Sequence, residues 1–192
     1  MATPSLTDTL DHAWACMNAG AGPGKSRFSM VQVATVGADG APRARTVVIR
    51  SADAATRQIA FHTDRRSPKV RELRNDPRVT VIGYDMEAGR QVRIEGVARL
   101  HIGDSEALGA WSASRAETRV NYQSETAPGE EIARPGDAGA APSADCKAGF
   151  SHFCRVVVEV GKIDWLDLAT DGHRRACHVW TGESWDSAWV AP

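Results

Sequence analysis

Apolar and polar residues alternate along this chain in short segments that end at glycine, proline or asparagine, and this pattern limits the folds available to it. Met30-Val-Gln-Val-Ala-Thr-Val36 shows this period of two. The same period recurs in four later segments, Arg43–Arg50, Gln58–Thr63, Arg78–Asp85 and Gln91–His101. Such a period places alternate side chains on opposite faces of a strand. Because Gly37-Ala-Asp-Gly40 is typical of a hairpin turn, neighbouring strands are expected to pair antiparallel.

The C-terminal part of the chain continues the strand pattern. Phe150–Val160 is strongly apolar, and Lys162–Leu168 extends it beyond Gly161. Arg175–Trp180 and Trp185–Val190 follow, with Asp171-Gly172 and Gly182-Glu183 as turns. No internal repeat is evident. The order of elements predicts a β-barrel formed mainly by antiparallel strands.

Three helices are predicted around these strands. The first covers residues 5–19, with Ser5 or Thr7 as its N-cap and Gly20 at its end. The second covers residues 67–75, where Pro68 occupies the first helical position. The third begins at Asp104 and extends to about residue 118. The expected class is therefore mainly β, of the α+β type, with peripheral helices.

Composition indicates one compact domain over residues 1–192. Of the 192 residues, 42% are hydrophobic and 24% are charged, which is typical of a globular protein with a core. Residues 125–149 are rich in small and polar residues and are predicted to form a mobile loop. There is no apolar run long enough to cross a bilayer and no secretion signal, so a cytoplasmic protein is expected.

Charge is distributed unevenly along the chain. The net charge is −1, yet basic residues outnumber acidic ones by 13 to 7 between Arg43 and Arg99. A positive basin inside a nearly neutral protein suits a small anion better than a long polyanion. The sequence also lacks a recognition-helix motif, so nucleic acid is not an expected partner.

The cysteines and histidines carry only a weak metal signal. Cys16, Cys146, Cys154 and Cys177 form no C-x-x-C pair and are expected to be reduced thiols. Two small clusters, His152 with Cys154 and His173 with Cys177 and His178, lack the paired spacing of zinc sites. Ordinary strand residues are the favoured interpretation, and no metal is predicted.

Three segments carry residues suited to binding a phosphorylated ligand. In Arg43–Arg50 arginines alternate with β-branched residues, and a strand arginine needs a partner such as phosphate. Thr63-Asp-Arg-Arg-Ser-Pro-Lys69 leads into a helix N-terminus, where free N–H groups and the helix dipole attract an anion. Gln91, in Arg90-Gln-Val-Arg-Ile-Glu-Gly96, offers both a donor and an acceptor to a heterocycle. Capping turns and solvated faces are the alternative interpretation of each segment alone.

In combination these segments resemble the pyridoxamine 5'-phosphate oxidase family. The resemblance lies in Arg45-Thr-Val-Val-Ile-Arg50, Phe61-His-Thr63, Ser67-Pro-Lys69 and Arg90-Gln-Val-Arg-Ile-Glu-Gly96. It covers about residues 27–101 and resumes at the C-terminus. It implies a six-stranded antiparallel split β-barrel that binds flavin mononucleotide (FMN) at the interface of a homodimer.

The resemblance also implies roles for individual residues. Arg45 and Lys69 are expected to hold the FMN phosphate with Ser67, and Gln91 to reach the edge of the isoalloxazine. The flavin is expected to be lined by Thr46, Val47, Val48, His62 and Thr63. Further contacts are expected from Gln123 and Ser124, which resemble a pair that the second subunit contributes, and from Trp165 and Arg175.

The substrate side of the family pattern is matched less closely. The positions that correspond to substrate-binding residues hold Arg50, Trp111, Arg115, Arg119 and His173. Arg50 stands where the family has lysine, Trp111 where it has tyrosine, and Arg119 where it has serine. The sequence therefore favours an FMN-dependent oxidoreductase of unknown small-molecule substrate, with no catalytic side chain assigned. The alternatives are the vitamin B6 salvage oxidase itself and a non-enzymatic flavin or haem carrier.

Overall fold

A computed structural model describes residues 3–24, 26–139, 143, 145 and 147–192 of the chain. The predicted Cys146 thiol and part of the predicted 125–149 loop lie outside these residues. The strands are β1 (Met30–Val36), β2 (Pro42–Asp53), β3 (Gln58–Asp64), β4 (Arg78–Asp85), β5 (Arg90–His101), β6 (Phe153–Asp167), β7 (Arg174–Trp180) and β8 (Trp185–Val190). The helices are α1 (Leu6–Ala21), α2 (Pro68–Asn75), α3 (Ser105–Ala113) and α4 (Ala116–Arg119), with 3-10 turns at Val120–Tyr122 and Phe150–His152.

Six of the strands close into an antiparallel barrel. The sheet order is β3-β2-β1-β4-β5-β6-β7-β8, and an additional pairing of β3 with β6 closes the ring. The first half of the 15-residue β6 pairs with β3, and its second half pairs with β7. Strands β7 and β8 therefore extend the sheet beyond the ring. The predicted split barrel with peripheral helices is confirmed.

The core fills the barrel and continues beneath α1. Alternate residues of the strands point inward, for example Val31 and Val33 on β1 and Val92 and Ile94 on β5, all of them 0% exposed. Met17 of α1 is equally buried, so this helix covers an apolar part of the barrel. In the described part of the chain, no helix combines the length and apolar character needed to span a membrane.

The two ends of α1 can be compared with the caps predicted from the sequence. Of the two predicted N-caps, Ser5 and Thr7, it is Ser5 that caps α1, in a reciprocal capping box with Asp8. The helix does not stop at Gly20, however, because its C-cap is Gly22. Gly20 lies within the helix, where an added Cβ would stand 2.3 Å from the carbonyl oxygen of Phe28. Its small size serves close packing rather than helix termination.

Two further predicted boundaries were wrong. The helix expected from Asp104 to residue 118 ends at Ala113, because Ser114 is extended (φ −74°, ψ 145°) and a separate short helix, α4, follows. The Arg119 guanidinium donates to the carbonyl of Ser114, which helps to close the end of α3. The predicted strand from Phe150 begins only at Phe153, and it continues without a break through Gly161.

Candidate cofactor and substrate site

The end of β3 and the start of α2 form a compact set of hydrogen-bond donors. The Lys69 ammonium donates to Thr63 Oγ1 at 3.0 Å, and that oxygen lies 3.3 Å from Ser67 Oγ. Ser67 is the N-cap of α2, yet its side chain makes no capping bond and is 0% exposed. Burial, followed by the nearby Arg45 charge, lowers the pKa of Lys69, while Glu72 opposes that shift. An anion at this point would stabilise the ammonium.

Arg45 lies beside this donor set on the inner face of β2. Its Nη2 donates to Glu72 Oε2 at 2.6 Å, and its Nη1 donates to Thr35 Oγ1. The Arg45 and Glu72 side chains are 21% and 12% exposed, respectively. Glu72 therefore holds the guanidinium in place at the end of the barrel next to Lys69. Sequence reasoning missed Glu72, because its i,i+3 spacing from Lys69 on α2 is typical of any solvated helix face.

The remaining predicted positions on β2 divide between two faces of the strand. Thr46, Val48 and Arg50 point outward and are exposed, whereas the Val47 side chain is 9% exposed and faces the core. Val47 is thus limited to backbone contact with any ligand on the outer face. His62 on β3 also lies on the outer face, directly opposite Arg155 of β6.

A cavity of about 590 Å³ opens over this outer face. Val48 and Arg50 of β2, His62 of β3, Arg115 at the α3–α4 junction and Arg155 of β6 line it, together with the C-terminal end of α1. No aspartate or glutamate is among its lining residues. Burial, together with the charges of Arg50 and Arg155, lowers the pKa of His62 to about 4. His62 is therefore neutral near pH 7, and its buried Nδ1 has no hydrogen-bond partner among the described residues.

Gln91 and Arg175 lie on a different part of the molecule. Gln91 of β5 pairs with Leu166 of β6, which in turn pairs with Arg175 of β7, so all three share the outer face of the sheet. The Arg175 guanidinium binds the buried Asp164 carboxylate at 2.8 Å, and Arg93 binds the same carboxylate at 2.8 Å. The ion pair with Asp164 fixes the direction of the Arg175 side chain.

The Trp165 side chain lies on the opposite face of the sheet from Gln91 and Arg175. It pairs with Val92 and Ala176, residues of the inner face, and it is 3% exposed. Its Nε1 donates to His12 Nδ1 of α1 at 3.0 Å. Trp165 and His12 line a second cavity of about 710 Å³ between α1 and the β6–β7 turn. The ten-residue spacing of Trp165 and Arg175 therefore does not bring the two side chains to one face.

Five further predicted residues lie away from the cavity over β2. Trp111 is buried in an aromatic cluster with Tyr122 and Phe153, and Arg119 is bound to backbone carbonyls at the end of α3. His173 is exposed in the turn before β7. Gln123 Oε1 accepts from the Ser143 amide, and Ser124 Oγ donates to the Ala138 carbonyl. The structure thus brings together Arg50 and Arg115 but not the other predicted substrate residues.

Two histidines of the predicted clusters, His152 and His178, have structural partners. His152 Nδ1 lies 2.9 Å from the Tyr122 carbonyl oxygen. His178 lies between Thr9 and Ser187. Throughout the residues that the structure describes, no three His, Cys, Asp or Glu side chains form a group able to hold a metal ion.

Arg155 is the cavity residue that sequence reasoning missed. Its signal was a single charge inside an apolar strand, Phe153-Cys-Arg-Val-Val-Val158. Alternation alone leaves such a residue on a solvated face. Only the closure of the ring through β3 and β6 places it opposite His62.

Comparisons with known proteins point to one family. A family model described as pyridoxamine 5'-phosphate oxidase matches residues 25–134. A pyridoxine/pyridoxamine 5'-phosphate oxidase 2 of Arabidopsis thaliana is 28% identical over 179 residues, covering 87% of this chain and 89% of the relative. A pyridoxine/pyridoxamine 5'-phosphate oxidase of Thermosynechococcus vestitus is 37% identical over 101 residues, and the match covers 47% of each protein.

Solved structures show the same fold. A crystal structure of a pyridoxamine 5'-phosphate oxidase-related, FMN-binding protein from Nostoc punctiforme superposes over 100% of both chains with a TM-score of 0.80 and 22% identity. At this identity the similarity concerns the fold and leaves the ligand of this chain to be argued from its own residues.

Proposed function

The chain belongs to the pyridoxamine 5'-phosphate oxidase family, whose model matches more than half of it, and on this premise we propose that it is an FMN-dependent oxidoreductase of a small anionic substrate. The observation that carries the proposal is the pairing of two neighbouring sites. Lys69, Thr63 and Ser67 form a donor set suited to a phosphate, and a carboxylate-free cavity lies on the adjacent strands.

The donor set fits the phosphate end of FMN. The ammonium, the two hydroxyls and the first turn of α2 offer N–H and O–H donors to phosphate oxygens. Arg45 adds a guanidinium whose position Glu72 fixes. Thr46, Val48 and His62 would contact the ring system, and the unpartnered His62 Nδ1 is a polar atom that a bound ligand would satisfy.

When bound, FMN supplies hydride or electron transfer, while the protein binds and orients the substrate. Arg50 and Arg115 attract and orient an anionic substrate, since neither makes an ion pair within the described residues and both line the cavity. Neutral His62 supplies one donor and one acceptor without adding charge. No side chain is required as a nucleophile.

We further propose that a second copy of the chain completes the cofactor site. In the six-stranded ring β2 and β5 are diametrically opposite, so the outward Thr46 and Gln91 point away from each other. A single copy therefore cannot direct both side chains at one ligand. If both contact FMN, as the resemblance implies, they come from different subunits of a homodimer.

The first experiment is an absorption spectrum of the purified protein before and after addition of FMN. Flavin bands, or a saturable FMN titration, are expected. A haem spectrum, or no chromophore together with no FMN binding, would favour a carrier of another ligand and remove the oxidoreductase. Turnover of pyridoxamine 5'-phosphate would instead identify the vitamin B6 enzyme.

The shared site is tested by complementation. Lys69→Met and Arg175→Gln variants are each expected to retain little FMN. When they are mixed and allowed to exchange subunits, half of the dimers become hybrids with one intact site, so about a quarter of all sites should recover FMN binding. Recovery no greater than the sum of the separate variants would show that each chain binds FMN alone. Arg99→Gln, on an exposed side chain paired with Glu159, is the matched control.

A further inference from the structure

The cavity over β2 contains more positive charge than one anionic group requires. Arg50, Arg115 and Arg155 line it, and no carboxylate does. Within the described residues, Arg50 and Arg115 make no ion pair, and Arg155 makes one, from Nη1 to Glu106 Oε2 at 2.9 Å. A single carboxylate is satisfied by one guanidinium in a bidentate pair. Three guanidiniums therefore exceed what one carboxylate requires.

Strand register separates Arg155 from the other two arginines. Arg155 lies directly opposite His62 of β3, and β3 lies between β6 and β2, which carries Arg50. Strands two apart in a sheet are separated by about 10 Å. The ion pair with Glu106 of α3 holds the Arg155 guanidinium on its own side of the cavity, and its side chain is 23% exposed. His62, neutral and between them, contributes no charge of its own.

We propose that this cavity selects substrates that carry two separate anionic groups and that Arg155 is the specificity-determining residue for the second group. Arg50 and Arg115 bind the first group. The inference rests on the cavity being the substrate site of the proposed oxidoreductase, and it extends that function to a substrate class, a diacid. Glu106 occupies Arg155 in the absence of substrate and competes with the second anionic group.

Equilibrium binding to the full chain tests this assignment without turnover. The probes are isophthalate, with two carboxylates, benzoate, with one, and phenyl phosphate, with two charges on one group. Calorimetric titration is expected to give tighter binding of isophthalate than of benzoate by about 10- to 100-fold, the effect of one charge-assisted hydrogen bond. Arg155→Gln should abolish that difference, while benzoate and phenyl phosphate change by less than about twofold.

Two further variants sharpen the result. Glu106→Gln should strengthen isophthalate binding, because it releases Arg155, whereas Arg99→Gln, outside the cavity, should leave all three affinities unchanged. If Arg155→Gln lost equal affinity for isophthalate and for phenyl phosphate, the three arginines would surround one anion and the proposal would be overturned. Equal affinity of the native chain for isophthalate and benzoate, or failure to bind either, would also overturn it.

An FMN titration of the same samples separates this inference from the proposed function. Isophthalate selectivity without FMN binding would refute the flavoenzyme and leave the diacid site standing. FMN binding without isophthalate selectivity would refute the diacid site and leave the flavoenzyme standing. Thermal denaturation of each variant confirms that the fold is retained.

Discussion

Replacement of Lys69 by methionine should weaken FMN binding while the fold remains intact. Methionine retains the length and much of the apolar surface of the lysine side chain but removes the ammonium. In the structure that ammonium has one hydrogen bond, to Thr63 Oγ1 at 3.0 Å. The nearby Glu72 keeps its ion pair with Arg45, so no carboxylate is left unpaired by the substitution.

The size of the effect follows from the lost contact. A hydrogen bond between an ammonium and a phosphate contributes about 1.5–3 kcal/mol, which corresponds to a loss of about 10- to 100-fold in affinity. Burial lowers the pKa of Lys69, because the charged form is poorly solvated in the protein without an anion. Removal of the charge should therefore leave the melting temperature of the flavin-free protein unchanged or raise it.

Fluorescence titration with FMN and with riboflavin provides the assay. Riboflavin has the same ring system without the phosphate, so Lys69→Met should change its affinity by less than about twofold. Lys162→Met, which removes an ammonium 3.3 Å from Glu95 on another part of the sheet, is the control. Unchanged FMN affinity, or equal weakening of FMN and riboflavin, would refute the assignment of Lys69 to the phosphate.

Three other predictions concern neighbouring groups. Arg45→Ala should also weaken FMN binding by about 10-fold or more. Its melting temperature should fall, because Glu72 loses its ion-pair partner. The Arg45→Ala/Glu72→Gln double variant should regain that stability, because it leaves no unpaired carboxylate. The folded-state pKa of His62 is about 4 against an ordinary 6.5, so the unfolded chain binds more protons between these values and the free energy of unfolding falls as the pH is lowered through this window. His62→Phe should remove about 2–3 kcal/mol of that loss between pH 6.5 and pH 4.5 in urea denaturation, and equal losses in both proteins would contradict it. Trp165→Phe should lower the free energy of unfolding by about 1 kcal/mol through the lost hydrogen bond to His12. Reduced FMN retention in a normally folded variant would support a flavin contact for Trp165. Parallel loss of fold and FMN retention would indicate a role in the core.

Local sequence signals gave most of the elements and part of the site. The strands Met30–Val36, Arg78–Asp85 and Trp185–Val190 have the predicted limits, because their alternation is regular and turn residues flank them. The break of the third predicted helix at Ser114 was not visible in the sequence, because it depends on carbonyl contacts from Arg119. The close approach of Phe28 to Gly20, which lies within α1 rather than at its end, was likewise not visible in the sequence.

The strand pattern, the helix N-caps and the group of residues suited to phosphate follow from local sequence, since each depends on neighbours within a few positions. Thr63, Ser67 and Lys69 are six residues apart at most, so one turn brings them together. The placement of Arg155 with Arg50 in one cavity and the inward direction of Trp165 depend on the assembled barrel. These placements follow from the pairing of β3 with β6 and from the register of β6, and strand pairing between distant segments is set by burial of the whole core rather than by local residues.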